Sequence, residues 1–510
     1  MRNRILIAFS ILLCILWSTS CRKNFEYAPS DGNLSFSKDT VYLDTVFSSI
    51  GSSTYTLKVF NDTKDDIIIP NISLKNGQES FYRLNVDGVA GKEFNDISIY
   101  AQDSLFILIE TTINISDDTV KELLYTDAIH FDKEPFQQSV ELVTLAKDAI
   151  FLYPKGNSEV ETEAISLYVD DTGNLINISG FELKDEELNF TNSKPYVIYG
   201  YAIIPDSKEL KIDAGARIHF HKNSGLLVQE GAKLTVNGSL SEDMIALNGE
   251  VIFEGDRLEP EFAEIPGQWG GLWISDGSSN NSINHLTIKN AEIGLFVEAL
   301  SGDTETTLIL ANSQIYNNTR YNLWVKSARL EATNLVLGNA GSSSLLIENG
   351  GSYTFIHSTI ANYWNKGFRY NTALEIKNES QEIVFDLEKA DFKNCIIDGN
   401  RQNELSLISD NESNFNFNFL NCFIKYTQNE ASSPLNNLFD FTNSELYSDI
   451  ILNGEVDYFL TTKNDFRIGL DSDAIDKGDL DTANYSPLDI LGTQRIPAPD
   501  LGAFQAIEKE

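Results

Sequence analysis

Six short segments share one pattern, in which two large apolar residues flank a third. They are Leu226-Leu227-Val228, Leu272-Trp273-Ile274, Leu295-Phe296-Val297, Leu323-Trp324-Val325, Leu345-Leu346-Ile347 and Phe368-Arg369-Tyr370. Side chains alternate along a strand, so the outer two residues of each triplet point inward and the middle one outward. Leu227, Trp273, Phe296, Trp324, Leu346 and Arg369 then form one outward ladder. An exposed face is normally polar, yet five of these six are large and apolar. Aromatic faces stack on sugar rings or take another protein, so Trp273, Phe296, Trp324 and Arg369 are the candidate ligand-binding residues. The alternatives are burial under another part of the chain and an oligomer contact.

Other chemistry is sparse. Arg217-Ile218-His219-Phe220-His221 places Arg217, His219 and His221 on one strand face, and two His at i, i+2 can chelate a metal. No third ligand adjoins them, so surface histidines are the ordinary reading and no metal centre is expected. Asp170-Asp171-Thr172-Gly173-Asn174 and the turn from Asp276 to Asn281 are oxygen-rich, which suits calcium. The same residues dominate ordinary turns. No cofactor other than calcium is suggested. No Gly-x-Ser-x-Gly, P-loop or GxGxxG is present, and no catalytic residue is assigned. Cys395 and Cys422 share a register position, as a disulfide or as stacked free thiols.

The elements that carry these residues are short strands separated by Gly and Asn. A unit reading small-x-Ile recurs with its third position at 288, 315, 336, 360, 397 and 424, in steps of 27, 21, 24, 37 and 27. That is a coil of about two dozen residues with one inserted loop. Leu210–Gly238 resembles the opening coils of a right-handed parallel β-helix of the pectate-lyase-like superfamily. The end of the chain carries Asp473-Ala474-Ile475-Asp476-Lys477-Gly478, then Asp489, Gly492, Arg495 and Asp500-Leu501-Gly502-Ala503-Phe504. It resembles the closing segment of many secreted β-helix proteins, with Gln505 where that pattern usually has Glu. The resemblance covers roughly residues 196–505 and implies fold and secretion. Pectate lyases of this fold use acidic calcium clusters, and its glycosidases use carboxylates held at a fixed separation.

The N-terminus combines Arg2 and Arg4, an apolar run from Ile5 to Trp17, and Ser18-Thr19-Ser20-Cys21. It is too short to span a membrane. It resembles a bacterial lipoprotein signal, which implies a Cys21 that carries acyl chains, palmitate among them. The expected organisation is all-β: signal peptide 1–20, tether 21–33, Ig-like antiparallel β-sandwich 34–150, connector and cap 151–195, parallel β-helix 196–430 of about nine or ten coils, and closing segment 431–510.

Of 510 residues, 38 are Lys or Arg and 75 are Asp or Glu, a formal charge of -37 that becomes -39 once Arg2 and Arg4 are removed. Nucleic-acid binding runs on phosphate neutralisation by basic residues, so this balance argues against nucleic acid and against polyanions generally. The expectation is a lipid-anchored envelope protein, on the periplasmic side of the outer membrane or at the cell surface. It presents a rigid rod to a polysaccharide or an envelope protein. The alternative is a divergent polysaccharide lyase or glycoside hydrolase.

Overall fold

The computed structural model describes residues 27–116, 119–154, 164–169, 175–243, 247–300, 302, 304–378, 385–410, 412–427 and 437–509. The chain divides after Asp148 into two compact units.

The first unit holds two sheets whose inward side chains form one core, with Leu57, Val59, Ile69, Ile129 and Val140 fully buried. Alternation along strands such as Tyr55–Phe60 and Ser104–Thr111 produces this inner face. About seven strands were expected; eleven are present among the described residues. Pairing is mainly antiparallel, but Thr40–Phe47 runs parallel to Gln138–Lys147.

The second unit is a parallel β-helix with three faces, named here in chain order within a coil as face 1, face 2 and face 3. They carry eleven, ten and ten strands. Nine coils hold all three strands among the described residues. The strand spacing makes face 1 about 48 Å long. The parallel ladders begin with Ile150–Leu152 against Tyr196–Ile198, so the segment expected as a connector contributes first-coil strands.

Each face buries a column of apolar residues. On face 2, Leu226, Leu272, Leu295, Leu323, Leu345, Leu374 and Leu405 are consecutive register partners. Face 1 stacks Ile288, Ile315, Leu337, Ile360, Ile397 and Ile424. Leu337 rather than Val336 is the inward residue of its coil, so the steps there are 22 and 23 residues, not 21 and 24. On face 3 the column ends in rings: Phe355 and Phe392 lie 5.0 Å apart, and Phe392 and Phe419 4.8 Å apart.

The turn from face 3 to face 1 is made by one residue per coil in the left-handed conformation. These are His285, Asn312, Asn334, His357, Asn394 and Asn421, with φ between 47° and 54°. Asn tolerates this conformation because its short amide bonds locally. Here the amides also bond between coils, Asn334 Nδ2 to Asn312 Oδ1 at 2.9 Å and Asn394 Nδ2 to His357 Nε2 at 3.0 Å. The 47 Asn residues thus include a structural column.

The segment expected as a closing segment from 431 first adds Tyr447–Ser448 to face 3 and Ile451–Leu452 to face 1, and only beyond them leaves the coils. It lies along the outside of face 1, where Phe466, Ile468, Leu501 and Phe504 pack on Val336, Ala361, Ile396 and Phe423. Gly338 admits it: a Cβ there would stand 2.1 Å from Phe466. The terminal motif is its knot. Asp489 accepts from the backbone of Leu491, Thr493 and Gln505. Asp500 accepts from Asp476 and Ala506. Gln505 Oε1 accepts from the Asp500 amide at 2.8 Å. Arg495, fully buried, donates to Asn334 and Ala503 at 3.0 Å.

His357 is fully buried where rod and closing segment meet. Burial, and then Arg495, hold its pKa well below the usual imidazole range. The unfolded side chain gains a proton near pH 6.5 while the folded one does not, so stability is lost as the pH falls below that value. At pH 5.5 the loss from this group is on the order of 1 kcal/mol relative to pH 8. His357→Asn uses the residue found elsewhere in the column and should remove that increment in urea denaturation at the two pH values. Parallel pH dependence of the two proteins would refute the assignment.

A candidate ligand site on the corner between faces 1 and 2

Five of the six expected ladder residues do stack. Leu227, Trp273, Phe296, Trp324 and Leu346 are register partners on face 2. The rings of Trp273 and Phe296 are 4.7 Å apart and those of Phe296 and Trp324 4.4 Å apart. The ladder is largely sealed. Only Trp273 is half-buried; Phe296, Trp324, Leu346 and Leu227 are buried, at 5% exposure or less. Trp324 Nε1 donates to Glu348 at 3.0 Å, and Glu298, Lys326, Glu348 and Lys377 alternate in an ion-paired column alongside.

Arg369 is not a rung. The register partner of Leu346 is Glu375, in the strand Leu374–Lys377. The triplet Phe368-Arg369-Tyr370 lies in the loop 363–373, which leads from the face 1 strand Thr359–Asn362 to that face 2 strand. Its polarity is the reverse of the expectation. Arg369 is buried, while Phe368 and Tyr370 are 75% and 71% exposed, the two most exposed large apolar side chains among the described residues.

The loop is held from beneath. Arg369 donates to Glu404 Oε1 at 2.6 Å and to the Asn362 carbonyl at 2.7 Å. Glu404, fully buried, also accepts from the Arg401 amide at 2.7 Å and the Ala373 amide at 2.9 Å. Burial pushes the Glu404 carboxyl up, against the pull of Arg369. From outside, the Arg401 guanidinium donates to the carbonyls of Tyr370 and Asn371. Both flanks of the two rings are therefore tied down. The rings meet edge to face at 5.1 Å and 79°, a corner with one aromatic floor and one aromatic wall. Asn365, Lys366 and Gln402 stand exposed on the same and the next corner. Such a platform can stack a flat, weakly polar ring and hydrogen-bond its hydroxyls.

The other sequence candidates separate. His219 is buried with Nδ1 3.2 Å from the Gly255 carbonyl, and burial lowers its pKa. His221 is half-exposed and pairs with Asp256 at 2.7 Å, so the two histidines do not converge. Arg217 bends onto the carbonyls of Leu247 and Glu250. In the Asp276 turn, Asn281 is fully buried and holds Leu234, Ser278 and Thr307, so it serves the fold. No group of three His, Cys, Asp or Glu converges on a metal position among the described residues. Asp170–Asn174 and Cys21 lie outside the described residues. Cys395 and Cys422 are free and buried, each thiol donating to two carbonyls, so no disulfide joins them.

Two groups of charges were not foreseen. On face 1, Glu254 meets Lys289 at 2.7 Å and His219 at 3.7 Å. Burial opposes the Glu254 charge, but Lys289 and His219 outweigh it and hold its pKa low. An ionised carboxylate locked to an ammonium is a poor proton shuttle. On face 2, Glu348 and Glu375 come from adjacent coils and share Lys377, at 3.1 and 3.7 Å. Burial pushes Glu375 up and Glu348 adds to it, against Lys377. Both groups follow from register, which needs the repeat to be aligned without a slip.

No protein-family model matches the chain, and no curated protein matches it in sequence. Among solved structures, the periplasmic alginate epimerase AlgG matches at 10% identity and a TM-score of 0.21, over 55% of this chain and 84% of that one. A family 123 glycoside hydrolase from Clostridium perfringens matches at 8% identity and 0.17, over 24% of this chain and 30% of the hydrolase. The E. coli chaperone DraB matches at 12% and 0.17, over 24% of this chain and 58% of the chaperone. The chain thus spans under two thirds of the hydrolase and of the chaperone.

The anchor and the rings should part company in denaturation. Arg369→Met strands Glu404 and should cost about 3–5 kcal/mol. Phe368→Ala with Tyr370→Ala should cost under about 0.5 kcal/mol, because both rings are exposed. A neutral Arg369→Met would show that the loop does not depend on its anchor.

Proposed function

We propose that this protein is a cell-envelope glycan-binding protein, anchored through a lipidated Cys21, which holds a sugar chain on the rod without altering it. The observation that carries this reading is the pairing of Phe368 and Tyr370, the most exposed aromatics among the described residues, with a buried Arg369–Glu404 pair beneath them. Burying charge is expensive and rigidifies; exposing two rings gains nothing for folding. Together they favour a preorganised aromatic platform. The aromatic ladder on face 2 serves the fold.

The decisive measurement is binding of soluble mature protein to a glycan array. Wild type should bind, the Phe368→Ala, Tyr370→Ala variant should lose at least about tenfold, the loss of one or two stacking contacts, and no sugar should be released. Trp324→Ala, by contrast, should lower stability by about 3–5 kcal/mol. Undiminished binding by the double variant would remove the platform from the reading. For the anchor, Cys21→Ala should move the protein from the membrane to the soluble fraction and abolish palmitate labelling.

Hydrolysis is the second reading, favoured by Glu348 and Glu375 on adjacent coils with the Glu375 carboxyl pushed up. New reducing ends that vanish in Glu375→Gln would establish it in place of simple binding.

A further inference from the structure

Strand boundaries place four consecutive corners between faces 1 and 2 in one line along the rod: residues 319–320, 341–344, 363–373 and 400–404. Their positive side chains are Arg320, Lys366, Arg369 and Arg401, and their one acidic side chain is Glu404, which is buried against Arg369. What remains for solvent is Arg320, half-exposed, with Lys366 and Arg401, both exposed. The same edge is different one and two coils earlier: Glu292, in the corner next to Arg320, and Glu261 are exposed, Asp256 and Glu264 half-exposed, and Glu259 is buried against Arg257. A chain with 75 acidic and 38 basic residues therefore keeps a stretch of about 14 Å, centred on Phe368 and Tyr370, free of exposed acids in its corner turns.

We propose that the ligand of the aromatic corner is an anionic glycan, a sugar chain bearing carboxylate or sulfate groups, with its rings on Phe368 and Tyr370 and its charges met by Arg320, Lys366 and Arg401. This rests on the glycan-binding reading and adds the charge of the ligand to it. The surrounding negative surface repels polyanions in general, so the corner selects a polymer that stacks and carries charge at the right spacing. Exposed cations a coil or two apart interact within a Debye length at physiological salt and lose much of that attraction at high salt.

Affinity electrophoresis of the full mature chain in gels of dextran, carboxymethyl-dextran and dextran sulfate keeps the sugar backbone constant and varies only the charge. Retardation should be strong in one or both charged gels, weak in dextran, and reduced at high salt. The charged gel that retards more identifies carboxylate or sulfate. Arg320→Glu with Lys366→Glu should weaken it by about tenfold or more, with unchanged circular dichroism and melting. Equal retardation in neutral dextran would overturn the anionic assignment and leave glycan binding intact. Retardation that survives the charge reversal would also overturn it, as would equal affinity for duplex DNA. No retardation in any gel, from protein that binds the glycan array, would overturn it while sparing the reading on which it rests.

Discussion

The structure depends on exact register between successive coils. Side chains alternate in and out with a period of two, so a one-residue slip would turn the Leu column of face 2 outward and the ladder of Trp and Phe into the core. The left-handed Asn and His column prevents this. It fixes where each face 1 strand begins, and its amides bond from coil to coil. Backbone hydrogen bonds then run along the rod, and inward residues meet inward residues.

The closing segment solves a second problem of such a rod, its long apolar outer face. Val336, Ile396 and Phe423 point outward on face 1 and would lie in water without Phe466, Leu501 and Phe504. The terminal Asp and Gln residues each satisfy two or more backbone groups of an irregular segment, and Arg495 satisfies the Ala503 carbonyl and the Asn334 and Gln505 side chains; buried polar groups must be satisfied. Their chemistry is that of a clasp. With face 1 covered and the face 2 ladder sealed, the corner loop between them carries the two most exposed aromatic side chains among the described residues.

Much of the fold was legible. Periodicity revealed the coils, the Leu and Ile columns and the stacking of Leu227 through Leu346. Of the corner loop the sequence offered only Arg369, read as an outward rung between an inward Phe368 and Tyr370, the reverse of their observed exposure. Phe368-Arg369-Tyr370 imitates the ladder triplet, but Leu374-Glu375-Ile376 is the true rung. An apolar flank can mark either an inward strand residue or an exposed ring beside a buried ion pair, and the difference lies in a partner 35 residues away, Glu404. The slip at Val336 has a similar cause, since Leu335 occupies the position held by Ser313 and Ser358 in the two neighbouring coils.

The sequence by itself determined the β architecture, the coil length and the residues that line the rod, because these follow from alternation and turn chemistry, which are local. Its first 21 residues resemble a lipoprotein signal. Only the tertiary structure decided which aromatic residues meet solvent, that Arg369 faces in, and that an acidic chain keeps a cationic corner. Those depend on which coils and loops come to lie side by side. Net charge and composition sum over the whole surface, whereas a ligand meets a few side chains that stacking has gathered from distant parts of the chain.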